Sequence, residues 1–412
     1  MIASAEPPAW VSRLRGQRWY AWPWHYLLLA AWAARWFQVE APGGSHSWHL
    51  FTVAAQLLWG GHPAGFPAPG GLHLYASYPR FQFGPVTVLA AAVLRLAGPG
   101  QGLVATQVLL TGCGLVIIRL AERIARLARP DADPDRIRWT VLAAGIVFLP
   151  AWEILAVSFM HLDDVLALLF AMLAVRTLIA GNAAATGVLL ALSGGAKPWA
   201  YAFLALLLAF PSTGLRWRGL IWAAVITVLI WAPFLIAAPD TWAVTRFAIP
   251  NRADSGLRAL GVSTPATPWW DRGAQLLAGL GLSALAVRRG RWPAVLLIGV
   301  AVRTGLDPFD WPYYDASLVT GALLWDVAGP RRPAPAWTFA AAAMFWGWTA
   351  VAGQSVLAGD LRVAFALAAA GYTILAPAAV PKLPLATWRV WVQWSEGWRF
   401  SPHFTPRNPN TP

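Results

Sequence analysis

Phe159-Met160-His161-Leu162-Asp163-Asp164 separates two apolar runs, Trp139 to Val157 and Val165 to Ala180, and its reading decides what kind of molecule this is. The runs, 19 and 16 residues long, are close to the roughly 17–25 residues with which a helix spans a bilayer. Only 18 of the 412 residues are acidic. Two adjacent carboxylates beside an imidazole, at the edge of a membrane segment, therefore mark an active-site neighbourhood. The simpler reading is helix capping, since carboxylates in a first turn meet free amides and the positive end of the helix dipole. Capping accounts for one carboxylate and leaves the second, and His161, without a role; the two readings are compatible.

The composition agrees with a membrane chain. Hydrophobic residues make up 58%, charged residues 12%, and the mean hydropathy is +0.52, too apolar for a soluble two-domain protein. The 27 tryptophans suit an interfacial belt, and Trp24, Trp36, Trp139, Trp199, Trp222, Trp292 and Trp337 fall at segment ends. The net charge of +13 comes from arginines in short loops between apolar runs, where they set topology; nucleic acid is not an expected partner. Cys113 is the only cysteine, which excludes a disulfide and a cysteine metal cluster. Residues 1 to 17 lack the apolar centre of a cleavable signal.

Outward from the central stretch, the apolar runs alternate with arginine-bearing loops. The expected architecture is an all-α polytopic membrane protein of about 12 transmembrane helices. A cytoplasmic segment 1–19 precedes one transmembrane domain, 20–380, and a tail, 381–412, rich in proline and partly disordered, is cytoplasmic from Lys382 onward. Residues 38–83 form a long first outer loop. Within it Trp48, Phe51, Ala55 and Leu58 recur every three to four positions, the pattern of a helix lying on the membrane. A second large outer loop covers 239–271. The most basic loop, with Arg119, Arg123, Arg126, Arg129, Arg136 and Arg138, belongs inside. If both 85–97 and 103–118 crossed, that loop would lie outside, so one of the two is re-entrant or only partly inserted.

On this topology half of the acids, Glu40, Asp163, Asp164, Asp240, Asp254, Asp271, Asp307, Asp310 and Asp315, collect on the outer side. Arg246, Arg252 and Arg258 lie there too, against the positive-inside bias, and guanidinium groups bind phosphate as a bidentate fork. Pairing with Asp240, Asp254 or lipid headgroups is the alternative. Lys197, before Pro198 in an apolar hairpin, needs an anion or an aqueous cavity. The stretch Asp307 to Asp315 mixes acids, prolines and the aromatics Phe309, Trp311, Tyr313 and Tyr314, as sugar sites and interfacial turns both do.

Several of these stretches resemble glycosyltransferases of the membrane-embedded C-type (GT-C) superfamily, and within it the actinobacterial mannosyltransferases of family 87. The matching stretches are Trp48 to Gly60, with Leu74, Tyr75 and Gln82-Phe83-Gly84-Pro85; His161 to Asp164; Ala196-Lys197-Pro198-Trp199; Pro250 to Arg258, with Trp269-Trp270-Asp271; and Asp307-Pro308 with Tyr313 and Tyr314. The resemblance implies a polyprenyl-phosphate sugar donor, often mannose, and transfer outside the cytoplasm to an envelope glycolipid or glycan. It also implies substrate binding at Tyr75, Gln82, Trp199, Asp307, Tyr313 and Tyr314, and an acid in the first outer loop as base. The chain departs from the pattern there: His46 and Ser47 precede Trp48 where the family has Asp, and Glu40 is the only nearby acid.

The expected mechanism follows. Asp163 or Asp164 orients acceptor or sugar, while Glu40, His46, His49 or His161 takes the acceptor proton. Arg246, Arg252, Arg258 and Lys197 surround the departing phosphate. No cofactor and no metal is required, because no pair among His46, His49, His62 and His73 has helical zinc-site spacing around a carboxylate. A lipid-linked sugar transporter or flippase, and a non-catalytic envelope-assembly protein, are the alternatives.

Overall fold

A computed structural model describes residues 23–309, 311–330, 332, 334–351 and 356–375. The expected terminal segments 1–19 and 381–412, and Asp310, lie outside these residues. The regular structure is helical: α1 Trp24–Glu40, α2 Trp48–Leu58, α3 Pro85–Leu94, α4 Pro99–Ala128, α5 Pro134–Glu153, α6 Leu162–Ile179 and α7 Ala183–Ala196. After the 3₁₀ helix Pro198–Ala209 come α8 Thr213–Ala237, α9 Asp271–Arg288, α10 Val295–Leu306, α11 Pro312–Ala328, α12 Ala336–Val351 and α13 Val356–Leu375. Among the described residues the one extended pairing is an isolated bridge between Pro250 and Ala266.

Local chemistry sets the starts. Proline opens α3, α4, α5, α11 and the 3₁₀ helix, where its missing N–H costs nothing. Side chains of Asp133, Asn182 and Ser212 cap α5, α7 and α8 by accepting from Asp135, Ala185 and Leu215 amides.

Among the described residues four helices are long and apolar enough to cross a membrane: Gly100–Ala128, Pro134–Ser158, Thr213–Ala237 and Val356–Leu375. In α8 only 11% of the apolar window is buried, and Leu220, Ile221, Trp222, Val225, Val228, Leu229 and Ile236 face outward. Such a helix is stable only in an apolar solvent, which is what a bilayer supplies.

The rods run between two ends. At one end, α1 meets α4 where His25 Nε2 lies 3.1 Å from Glu122, and Arg136 donates to the Arg332 carbonyl at 3.1 Å. At the other, the amides of Ser45 and Ser47 reach the carbonyls of Ser158 and Phe159. The antiparallel register of α4 and α5 connects them, with the Trp152 indole donating to the Leu110 carbonyl at 2.8 Å. We term these the arginine end and the site end. The basic stretch around 119–138 is mostly helix, not loop, because Glu122 neutralises neighbouring arginines at i−3 and i+4.

The short helix α3 stays at the site end. It begins where the Gly84 amide donates to the Ala196 carbonyl at 2.8 Å. A Cβ on Gly84 would collide with the Gly195 carbonyl, so only glycine allows this approach. It ends near the first turn of α4, where Gly102 packs against Leu94 and Arg95. Of the runs 85–97 and 103–118, the second therefore joins the two ends. The loop helix α2 differs from the expected surface helix: Trp48, Phe51, Val53, Ala54, Ala55 and Leu57 are buried, and it packs on α3. Its apolar stripe is wider than one face, so protein covers it.

Candidate active site at the end of α6

The site begins with an irregular backbone. The α5 helix carries Pro150, loses its regular register and ends in a π turn, Ile154–Ser158. Met160 then takes φ +53, a left-handed conformation that a bulky residue adopts only under constraint. Wide π turns and such outliers concentrate at functional positions. Here they set His161, Asp163 and Asp164 on the first turn of α6, with both carboxylates buried.

Capping explains part of this arrangement. Asp163 Oδ1 accepts from the Asp164 amide at 2.9 Å and faces His161 Nδ1 at 3.1 Å. Asp164 faces other elements: Trp199 Nε1 donates to its Oδ1 at 3.1 Å and Arg303 Nη1 at 3.0 Å, and its Oδ2 is 3.3 Å from His161 Nδ1. Lys197, extended between α7 and the 3₁₀ helix, is in close contact with Asp163 and stands 3.6 Å from Asp164. Two buried carboxylates thus meet two cations, and burial is tolerated because the cluster is balanced.

The Arg303 guanidinium lies 4.7 Å from the Trp199 ring and 4.0 Å from that of Tyr314. Its Nε is 4.0 Å from Asp307, whose Oδ1 accepts from the Phe309 amide at 3.0 Å. Burial pushes the Asp307 carboxyl above its ordinary range, against the pull of Arg303 and Arg272. Tyr313 stacks on His161 with ring centres 3.5 Å apart.

Beside the cluster opens a cavity of about 400 Å³ whose walls include Lys197, Arg246, Arg272, Arg303, Trp199 and Tyr314. Among the described residues no carboxylate lines it. Gln82 and Trp231 complete its rim, with Arg272 Nη2 donating to Gln82 Oε1 at 3.0 Å. A chamber with four cations in its wall and no acid suits an anion.

The residues singled out in the sequence separate into groups. His161, Asp163, Asp164, Lys197, Trp199, Asp307, Tyr313 and Tyr314 come together in the cluster, and Gln82 and Arg246 reach the cavity. Tyr75 lies behind the cavity wall, against Trp231 and Phe234. Glu40 sits apart, close enough to Glu153 for the two carboxylates to repel. His46 stacks on Phe159 with Nδ1 2.8 Å from the Ser158 carbonyl, and His49 is exposed on α2. Arg252 pairs with Asp254 at 3.1 Å, and Arg258 donates to the Asn251 and Ser263 carbonyls, so both brace their own loop. The side chains of Asp310 and Asp315 are outside the described residues.

Sequence reading passed over Arg272 and Arg303. For Arg303 a signal existed, a lone charge inside the apolar run 292–306. Arg272 had only its place after Trp269-Trp270-Asp271.

His161, Asp163 and Asp164 present ligand atoms within 4.8 Å of one another, the one such group among the described residues that could hold a metal ion. Lys197 and Arg303 already oppose both carboxylates, so an ion would have to displace a cation from the cluster. Comparison with protein-family models, characterised proteins and solved structures finds no match to the chain.

Proposed function

We propose that the protein is an integral membrane glycosyltransferase of the GT-C type, moving a sugar from a polyprenyl-phosphate donor to an envelope glycolipid or glycan. Mannose is the sugar its resemblance to family 87 suggests. The observation that carries this reading is the cavity, with four cations and, among the described residues, no carboxylate in its wall, set against the Asp163-Asp164 pair. Lys197 and Arg303 are engaged with those two acids, so of the four cations Arg246 and Arg272 are left for a ligand. A lipid-linked sugar phosphate is a diester with a single negative charge. As the sugar departs it becomes a monoester of charge about −1.5 to −2. Two arginines match the product better than the substrate, which is how binding becomes catalysis.

The apolar face of α8 adjoins the cavity through Trp231, and there the lipid tail of such a donor remains in the bilayer. In this reading α1, α4 to α13 and the 3₁₀ helix make twelve crossings, with the arginine end cytoplasmic by charge bias and the site end outside the cell membrane. The 3₁₀ helix suits one crossing: at about 2.0 Å per residue its 12 residues reach roughly 24 Å. The test supplies a radiolabelled polyprenyl-phosphate mannose to liposomes holding the purified full chain. Label should move to an added glycoside acceptor; label that stays on the lipid, or crosses the bilayer unchanged, refutes the enzyme reading.

A further inference from the structure

We infer that Gln275 reads one hydroxyl of the transferred sugar and is a specificity determinant, an assignment that rests on the glycosyltransferase reading. The α9 helix opens after Trp269 and Trp270 with Asp271, a buried acid outside the Asp163-Asp164 cluster. Gln275 stands one turn further on, only 5% exposed, in the wall of the cavity. Its Nε2 donates to Asp271 Oδ2 at 2.9 Å and to the Leu306 carbonyl at 3.3 Å. Both hydrogens of the amide nitrogen are thereby engaged.

Those two contacts fix which way the amide faces. A backbone carbonyl only accepts, so the nitrogen lies towards Leu306 and the oxygen away from it. Oε1 has no hydrogen-bond partner among the described residues, yet it is not sealed in the interior as Asp271 Oδ1 is. The opening it meets is the cavity. The other carboxamide of the wall, that of Gln82, already accepts from Arg272. Lys197, Arg246, Arg272 and Arg303 can only donate. Gln275 Oε1 is thus an obligate acceptor that the wall leaves open to a ligand.

An obligate acceptor selects a donor. The phosphate of a lipid-linked sugar is an ionised diester and has no hydrogen to give, so its oxygens would meet Oε1 lone pair against lone pair; every free hydroxyl of the sugar has one. Arg272 and Gln275, three residues apart, share one face of α9 and are separated by about 4.5 Å along its axis. The helix therefore offers a phosphate contact and a hydroxyl contact at a spacing comparable to one sugar ring. Because Asp271 and Leu306 already hold the amide, little rotamer freedom is spent when the sugar arrives. A sugar lacking that hydroxyl leaves a buried carbonyl oxygen unpaired, which is the strong form of discrimination.

The experiment uses the full chain in liposomes, octyl mannoside as the acceptor probe, and radiolabelled polyprenyl-phosphate mannose beside its 2-, 3-, 4- and 6-deoxy analogues as donors. With wild type, kcat/KM should fall by about 10- to 100-fold for the one analogue that lacks the hydroxyl facing Oε1. Gln275→Met keeps the volume without the acceptor. In it the preference for mannose over that same analogue should shrink to within about threefold, while the preferences over the other three stay as in wild type. Each preference is a ratio within one variant, so a loss of folded protein cannot produce the change. Gln275→Ala, which removes the whole carboxamide, supplies the same comparison where Gln275→Met is inactive. Wild type that transfers mannose and all four deoxy sugars within about threefold overturns the assignment alone, as does a variant that keeps every wild-type preference. Wild type that transfers sugar from none of the donors overturns the glycosyltransferase reading along with it.

Discussion

Arg303 and Asp164, 139 positions apart in the chain, meet at 3.0 Å in the interior of the bundle. The contact ties α10 to the first turn of α6, and the guanidinium is buried beside the rings of Trp199 and Tyr314. Removing either partner strands a buried charge. Arg303→Ala should lower stability by about 3–5 kcal/mol, and Arg303→Lys by less, because a point charge keeps the neutrality but loses the planar stacking. Thermal unfolding in detergent, run as a double-mutant cycle with Asp164→Asn, measures the coupling. Additive losses would mean that the two side chains do not interact.

Arg246 and Arg272 should carry the departing phosphate. Alanine at either position should cost at least about 10-fold in both donor affinity and turnover, and lysine should not fully restore it. Arg252→Ala should affect turnover less, since Arg252 holds Asp254 and covers the Phe309 ring at 4.9 Å. Steady-state kinetics on the five single variants decides; full activity without Arg246 and Arg272 removes the phosphate clamp.

Transfer should persist in excess chelator. The carboxylates that present metal-ligand atoms already face Lys197 and Arg303, and a departing lipid monophosphate is neutralised by arginine. Activity abolished by EDTA and restored by a divalent cation would establish instead that an ion displaces Lys197.

Asp307 gives a pH dependence with a definite sign. Burial raises its folded-state pKa above the unfolded carboxylate value of about 4. The folded protein therefore binds this proton more tightly. The stability it contributes is full below the unfolded value and is lost as pH rises through the folded one. Asp307→Asn mimics the protonated form, so its melting temperature should fall less than that of wild type between pH 4 and pH 8 by about the contribution of this one group. Parallel melting curves would show that Asp307 does not titrate in this range.

Much of the architecture was legible in the order of residues. Apolar runs and arginine clusters gave the positions of most helices, because these are local consequences of hydropathy and charge. The cluster was half legible. His161-Leu162-Asp163-Asp164 and Lys197-Pro198-Trp199 stood out as charge in apolar surroundings, and the fold brings them into contact. The arginines were harder to sort. Arg246, Arg252 and Arg258 look alike in sequence, yet the first reaches the cavity while the other two bond within their own loop.

The sequence by itself determined a helical chain suited to a bilayer, its segregated charges and the charged break at 161–164 between two apolar runs, all of which follow from near neighbours. Only the tertiary structure decided that α3 stays at one end, that Arg272 and Arg303 complete the cationic wall, and that His161 has carboxylates behind it while Glu40 stands apart. Those outcomes depend on which faces of distant helices pack together. Packing is fixed by the summed fit of many side chains and by the cost of leaving a buried charge unpaired, neither of which appears in any local stretch of the chain.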